Sequence, residues 1–302
     1  MAWDIFSVVS KLTHLVGMAL LFGEGLAYVL FQRVNLQNAR QTANALLLGA
    51  VLTILGTTTY MLAQVGAING AGVGGMWDWQ MLQILAESSL GSASATRLFA
   101  VLLGVVLAII LFWLSRAKER DRYALTFCTP FIACTAILLA WSTVLTGHIA
   151  TLDSSIKVVL GVHFLAALAW AGTLWPLLRV CAVDEPAPLR SIMSMYGKVA
   201  VFVVALLIAA GVFLTFNLIA SAIELVTTRY GLTLLLKLSG VLIMLGFAAR
   251  HKLKLVPLLS SGDGTKRLQR SIGLEILVAI LVLAVTAALT TVVGPENAHS
   301  MG

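Results

Sequence analysis

The sequence predicts an all-α polytopic membrane protein of eight transmembrane helices, arranged as two four-helix parallel repeats. Three observations predict it. First, 60% of the 302 residues are hydrophobic and 11% are charged, with a mean hydropathy of +0.98. Soluble domains carry about 25% charge. Second, eight apolar runs each approach the roughly 20 residues that a spanning helix needs. Third, one motif recurs: HLVGMALLFG at 14–23 and HFLAALAWAG at 163–172 both set a histidine nine residues before a glycine.

The spans are placed near 5–32, 43–67, 96–115, 124–147, 156–179, 197–222, 230–250 and 271–293. They are too long and too uniformly apolar for barrel strands. The first run is also too long for a cleavable signal, so it is read as a span. Residues 1–150 form the first repeat and 151–302 the second. Two further matches support the pairing. Thr96-Arg97 opens the third span and Thr228-Arg229 the seventh, while TVLTGH (143–148) and TTVVGP (290–295) end the fourth and eighth. Parallel repeats meet at a pseudo-two-fold axis along the membrane normal, with a site between them.

The net charge of +7 and pI near 9.6 do not signal nucleic acid here, because the basic residues lie in short loops. Fifteen of the 20 Lys and Arg residues follow the first, third, fifth and seventh spans. Those loops are therefore assigned to the cytoplasm. Both termini then lie outside, which in a bacterium is the periplasmic side of the inner membrane. The longest outer loop, 68–95, opens with INGAGVGG and continues MWDWQMLQILAESSL. Trp77, Met81, Ile84, Leu85 and Ser88 recur at helical spacing, which predicts a surface helix near 76–90 anchored by Trp77 and Trp79.

An ionisable side chain inside a membrane is costly and marks function. His14 falls about 13 Å along the first span and His163 about 10 Å along the fifth. His148 ends the fourth span, and His299 lies in the outer tail beside Met301. Four of the five histidines thus lie in the outer half, and imidazole suits copper, zinc, iron and nickel. A metal site of His14, His148 and His163 is expected, with Met18 one turn below His14 on the same face. A buried, hydrogen-bonded histidine that fixes helix register is the plainer reading of any one of them. His251, within a basic cluster, is read as solvated.

Trp141 and Trp170 stand seven residues from His148 and His163 and are candidates for an aromatic floor beneath the metal, or for plain helix packing. Gly23 and Gly172 fall about 180° around their helices from the histidines and allow close packing on that opposite side. Met18, Met244, Cys134, Cys128 and Cys181 continue inward as soft groups of the kind that select Cu(I). Ordinary apolar filling is the stronger reading of these five. Pro130 is expected to kink the fourth span. Glu24 and Glu275 are intramembrane acids, candidates for proton relay or for pairing with a base such as Lys237. No nucleophile–base pair and no phosphate loop is present, so the chain does not read as an enzyme.

Gly147-His148, VHFLAALAWAGTLWPLL (162–178) and RYGLTLLLKLSGVLIMLGFAARHKLKLVPLL (229–259) together resemble the copper-resistance D (CopD/PcoD) family of eight-helix inner-membrane proteins. The match is carried by residues 145 to 260, and His148 and His163 fall on family positions. Family members often read W-x-G-G where this chain has Gly172-Thr173. The resemblance implies copper, as Cu(I) or Cu(II), moved inward from the periplasm, often beside a small periplasmic CopC-like carrier. Neutral imidazole is the ligand form, so binding is expected to weaken below about pH 6. Two other functions remain open on the sequence. One is a haem-binding, cytochrome b-like redox protein. The other is a non-transporting scaffold or sensor partner.

Overall fold

The computed structural model describes residues 2–31, 38–116, 120–146, 153–182, 186–219, 221–260 and 264–294, with backbone alone for 120–127, 186–187 and 260. Ten α-helices occur among them. They are α1 (Ala2–Phe31), α2 (Ala39–Asn69), α3 (Trp79–Glu87), α4 (Ser89–Leu114), α5 (Arg120–Val144), α6 (Ser154–Val180), α7 (Pro186–Leu218), α8 (Glu224–Thr227), α9 (Arg229–Arg250) and α10 (Gly264–Ala288). Wider π turns extend α9 through His251–Leu255 and α10 through Leu289–Val293.

The protein is an all-α polytopic membrane protein. Seven helices are long and apolar enough to cross a bilayer, and Cys128–Val144 within α5 is a shorter apolar stretch. The helices overrun the spans expected from hydropathy because polar residues at their ends continue the helical hydrogen bonding. α1 starts at Ala2, so His14 lies about 18 Å from its first residue. Proline does not break the spans: α5 runs through Pro130 and α6 through Pro176.

Helix α1 is the centre of the bundle, packing against α2, α6, α10 and α5. Its composition explains this position. Lipid tails are as apolar as leucine, so helix association in a bilayer depends on close backbone approach at small residues. Gly17 meets Gly49 and Thr53 of α2, and Gly56 of α2 meets the backbone of His14. Gly23 and Gly172, the two glycines of the recurring motif, press against each other where α1 crosses α6. The neighbour expected opposite each histidine is therefore the matching glycine. On the far side of the bundle, Leu232, Leu236, Leu242 and Ile243 of α9 are exposed, as a lipid-facing surface requires.

The predicted surface helix is present as α3, shorter than expected and preceded by a 3-10 turn at Val73–Trp77. Asp78 caps it, its carboxylate accepting from the Met81 N–H at 3.0 Å. Trp77 and Trp79 are exposed, as interfacial anchors are.

The start of the third span differs from expectation. Arg97 is not at a helix start. It lies eight residues inside α4, because Ser88 caps that helix through the Leu90 N–H (3.1 Å). Thr228 caps α9 in the same way through the Gly231 N–H (2.9 Å). Gly91 and Gly231 then both press on the short helix before them, α3 and α8 respectively. Arg97 and Lys237 each stand nine residues after their cap. TVLTGH and TTVVGP end in 147–148 and 295, outside the described residues.

The α1–α6 crossing yields a direct test. A Gly172→Ala change places a methyl group against the Ala19 carbonyl oxygen and should cost on the order of 1–3 kcal/mol. Gly246→Ala, with open space around it, should gain about 0.5–1 kcal/mol from helix propensity. Thermal denaturation of the two variants in one detergent checks the contrast.

Candidate functional site

His14 is fully buried and turns toward α2. Its ring stands edge-on to Tyr60, with centroids 6.0 Å apart and planes at 86°. Nδ1 of His14 is enclosed and has no hydrogen-bond partner. Met18, one turn further along α1, is also buried. His163 is half-buried and turns toward α7. Its Nδ1–H donates to the Leu207 carbonyl at 3.2 Å, which leaves Nε2 with the free lone pair. Gly211 makes room for that ring. Lys237 of α9 is close enough for its charge to act on the imidazole.

The two histidines thus belong to different helix pairs, α1–α2 and α6–α7. Among the described residues, no three His, Cys, Asp or Glu side chains come together to hold a metal ion. His148, His299 and Met301 lie outside the described residues.

The other expected residues separate clearly. Trp141 is 58% exposed and faces outward, whereas Trp170 is 4% exposed, so no aromatic floor joins them. Cys134 is exposed, while Cys128 and Cys181 are buried and free. Burial pushes the Cys181 thiol up to about 12, away from the thiolate that binds metal.

Both intramembrane acids are engaged. Glu24 pairs with Arg179 of α6, and Arg179 also donates to the Gln41 carbonyl of α2 at 3.2 Å. This clasp joins three helices. Glu275 of α10 accepts from the Trp170 indole N–H at 3.1 Å, and its other carboxylate oxygen lies 3.3 Å from His251 Nδ1. His251 Nε2 and the Ser271 hydroxyl are 2.8 Å apart. His251 is therefore a partner of a buried carboxylate rather than a solvated residue, and Lys237 is not the partner of either acid. The sequence hid this because His251 sits among cations in the chain, while its partner is 24 residues away on another helix.

Sequence reasoning also missed Arg97. It is only 5% exposed, and it reaches the Ser142 carbonyl through one Nη2 contact at 3.5 Å. Its Nε and Nη1 have no partner. The signal was available: an arginine set directly before a run that is apolar from Leu98 to Leu114.

Comparison with known proteins agrees with this helical, acid-poor bundle. The family described as Copper resistance protein D matches residues 190–289. The family described as Copper resistance protein D-like, N-terminal domain, matches residues 1–157. No curated protein and no solved structure matches the chain. The chain belongs to the copper resistance protein D family.

The Glu24–Arg179 pair is enclosed at the carboxylate, so removing one partner strands the other charge. Arg179→Met should destabilise the protein by about 3–5 kcal/mol. The double variant Glu24→Leu, Arg179→Met should recover most of that loss. Thermal unfolding of the three proteins measures the difference.

Proposed function

We propose that this member of the copper resistance protein D family binds copper in its outer half and passes it inward across the bacterial inner membrane. One observation carries the reading. His14 holds an imidazole nitrogen, Nδ1, that is enclosed and lacks any hydrogen-bond partner. Leaving a buried polar atom unpaired costs about 1–3 kcal/mol. Coordination of a cation removes that cost. Met18 supplies a thioether one turn deeper, of the type that prefers Cu(I).

His163, with its Nδ1–H held by Leu207, offers Nε2 as a second ligand position. Hydrogen bonding of one ring nitrogen fixes the tautomer that frees the other. Because His14 and His163 turn to different helices, the reading is of two copper stations, with His148 as a further ligand near the outer surface. The two-repeat arrangement is part of the same proposal: the Gly23–Gly172 contact and the matching caps at Ser88 and Thr228 support it. Both termini are taken as periplasmic, where a CopC-like carrier delivers the ion. Copper is cargo here, and no catalysis is proposed.

Metal analysis of purified, copper-loaded protein tests the reading. His14→Ala and His163→Ala should each lower bound copper, and the double variant should lower it further. Wild-type binding should fall below about pH 6 as protons compete for the imidazoles. Full copper occupancy in the double variant would refute the assignment. Unchanged cellular copper uptake in a His163→Ala strain would count against transport.

A further inference from the structure

The surroundings of His14 are positively charged. Lys11 lies one turn before His14 on α1, and its Nζ sits over the Tyr60 ring at 5.4 Å, the same ring that His14 meets edge-on. Lys11 donates to the Thr290 carbonyl at 3.1 Å, which brings in the end of the α10 segment. Arg97 enters from α4, near enough for its charge to act on Lys11, His14 and Tyr60 alike. Three helices, α1, α2 and α4, and the π turn after α10 therefore bring Lys11, Arg97 and the His14 imidazole around one phenol.

The charges are not balanced within the described residues. The Glu24–Arg179 ion pair and the Glu275–His251 contact involve neither Lys11 nor Arg97. Arg97 keeps two unused donors, Nε and Nη1, and His14 keeps Nδ1. Taking a lone charge out of water costs several kcal/mol, and a bundle in lipid has no solvent to share that cost. Arg97 cannot lose its proton to escape it. A cation such as copper at His14 would add a third positive charge to the same space.

We infer that the buried Arg97, with the partly buried Lys11, forms an anion site beside His14, filled by a small inorganic anion from solvent. The ligand class follows from the donors. Guanidinium and ammonium groups recognise oxyanions and halides, and the two unused nitrogens of Arg97 are N–H donors. Arg97 is closed off from the bundle surface, which favours a free ion over a lipid headgroup. The site gives the His14 pocket a counter-charge, and it does not depend on copper being the cargo. The corresponding pair in the second half, His163 and Lys237, lacks the tyrosine: Gly211 stands against the imidazole there.

The test uses copper-free full-length protein in a maltoside detergent, which contains no phosphate. Sodium sulfate, phosphate and chloride are titrated against sodium gluconate at matched ionic strength, and the melting temperature is followed. Wild-type protein should show a saturable rise with at least one of the three anions. Arg97→Met should weaken that response by at least about a hundredfold, because the paired charge is gone. It should also melt higher than wild type in gluconate, since an uncompensated charge has been removed. Lys11→Met should weaken the response as well, and Arg229→Met, at an exposed arginine, should leave it intact. If Arg97→Met does not fold, Arg97→Lys keeps the charge and should retain a weakened response. No saturable rise in wild type, or a full response in Arg97→Met, would overturn the inference. A rise produced by phosphatidylglycerol and by none of the free anions would overturn the assignment to a solvent ion.

Discussion

Lipid offers no hydrogen bonds, so each polar group inside the bundle must find its partner there. The structure is organised around this constraint. Glu24 is held by Arg179, and Glu275 is held by Trp170 and His251. Each set draws helices together: α1, α2 and α6 in the first case, α6, α9 and α10 in the second. Several threonines and serines of the long helices solve the same problem locally, returning their hydroxyls to carbonyls three or four residues back, as Thr53 does to Gly49 and Thr286 to Val282. Against that background the orphaned groups stand out. His14 Nδ1 and two nitrogens of Arg97 have nothing to bond, and they lie in one neighbourhood.

Small residues meet the second requirement, which is contact without a hydrophobic drive. Glycines on α1 allow α2 on one side and α6 on the other to approach its backbone. The same periodicity sets the direction of the histidines. Nine residues is two and a half turns, so a glycine that faces the α1–α6 contact leaves its histidine on the opposite face. His14 reaches α2 and His163 reaches α7 for that reason.

The fold was largely legible in the sequence. Hydropathy marked the long helices, and the Trp77–Leu85 pattern marked α3, because both signals are local. The recurrence of H-x8-G also marked a close-packing face on each helix, though not that the two glycines meet each other. What was not legible depends on distance across the bundle. Arg97 looked like a helix-end cation because Thr96-Arg97 resembles Thr228-Arg229, whereas the true helix start is set by the Ser88 cap. His251 looked solvated among Arg250, Lys252 and Lys254, but a π turn and the neighbouring α10 bring it to Glu275. Trp141 looked like a partner of Trp170 because both stand seven residues from a histidine, yet their helices turn them to different surroundings.

The glycine crossing also bears on where a cargo ion can travel. Backbone meets backbone at Gly23 and Gly172, so the seam between α1 and α6 is closed to any particle at that depth. The very next residue on α1 is Glu24, tied to Arg179. A permeation route down the middle of the molecule would therefore meet a steric plug followed at once by an ionic one. On the transport reading proposed above, passage would detour around α1, through the flanks where α2 or α7 lies, and each flank carries its own histidine.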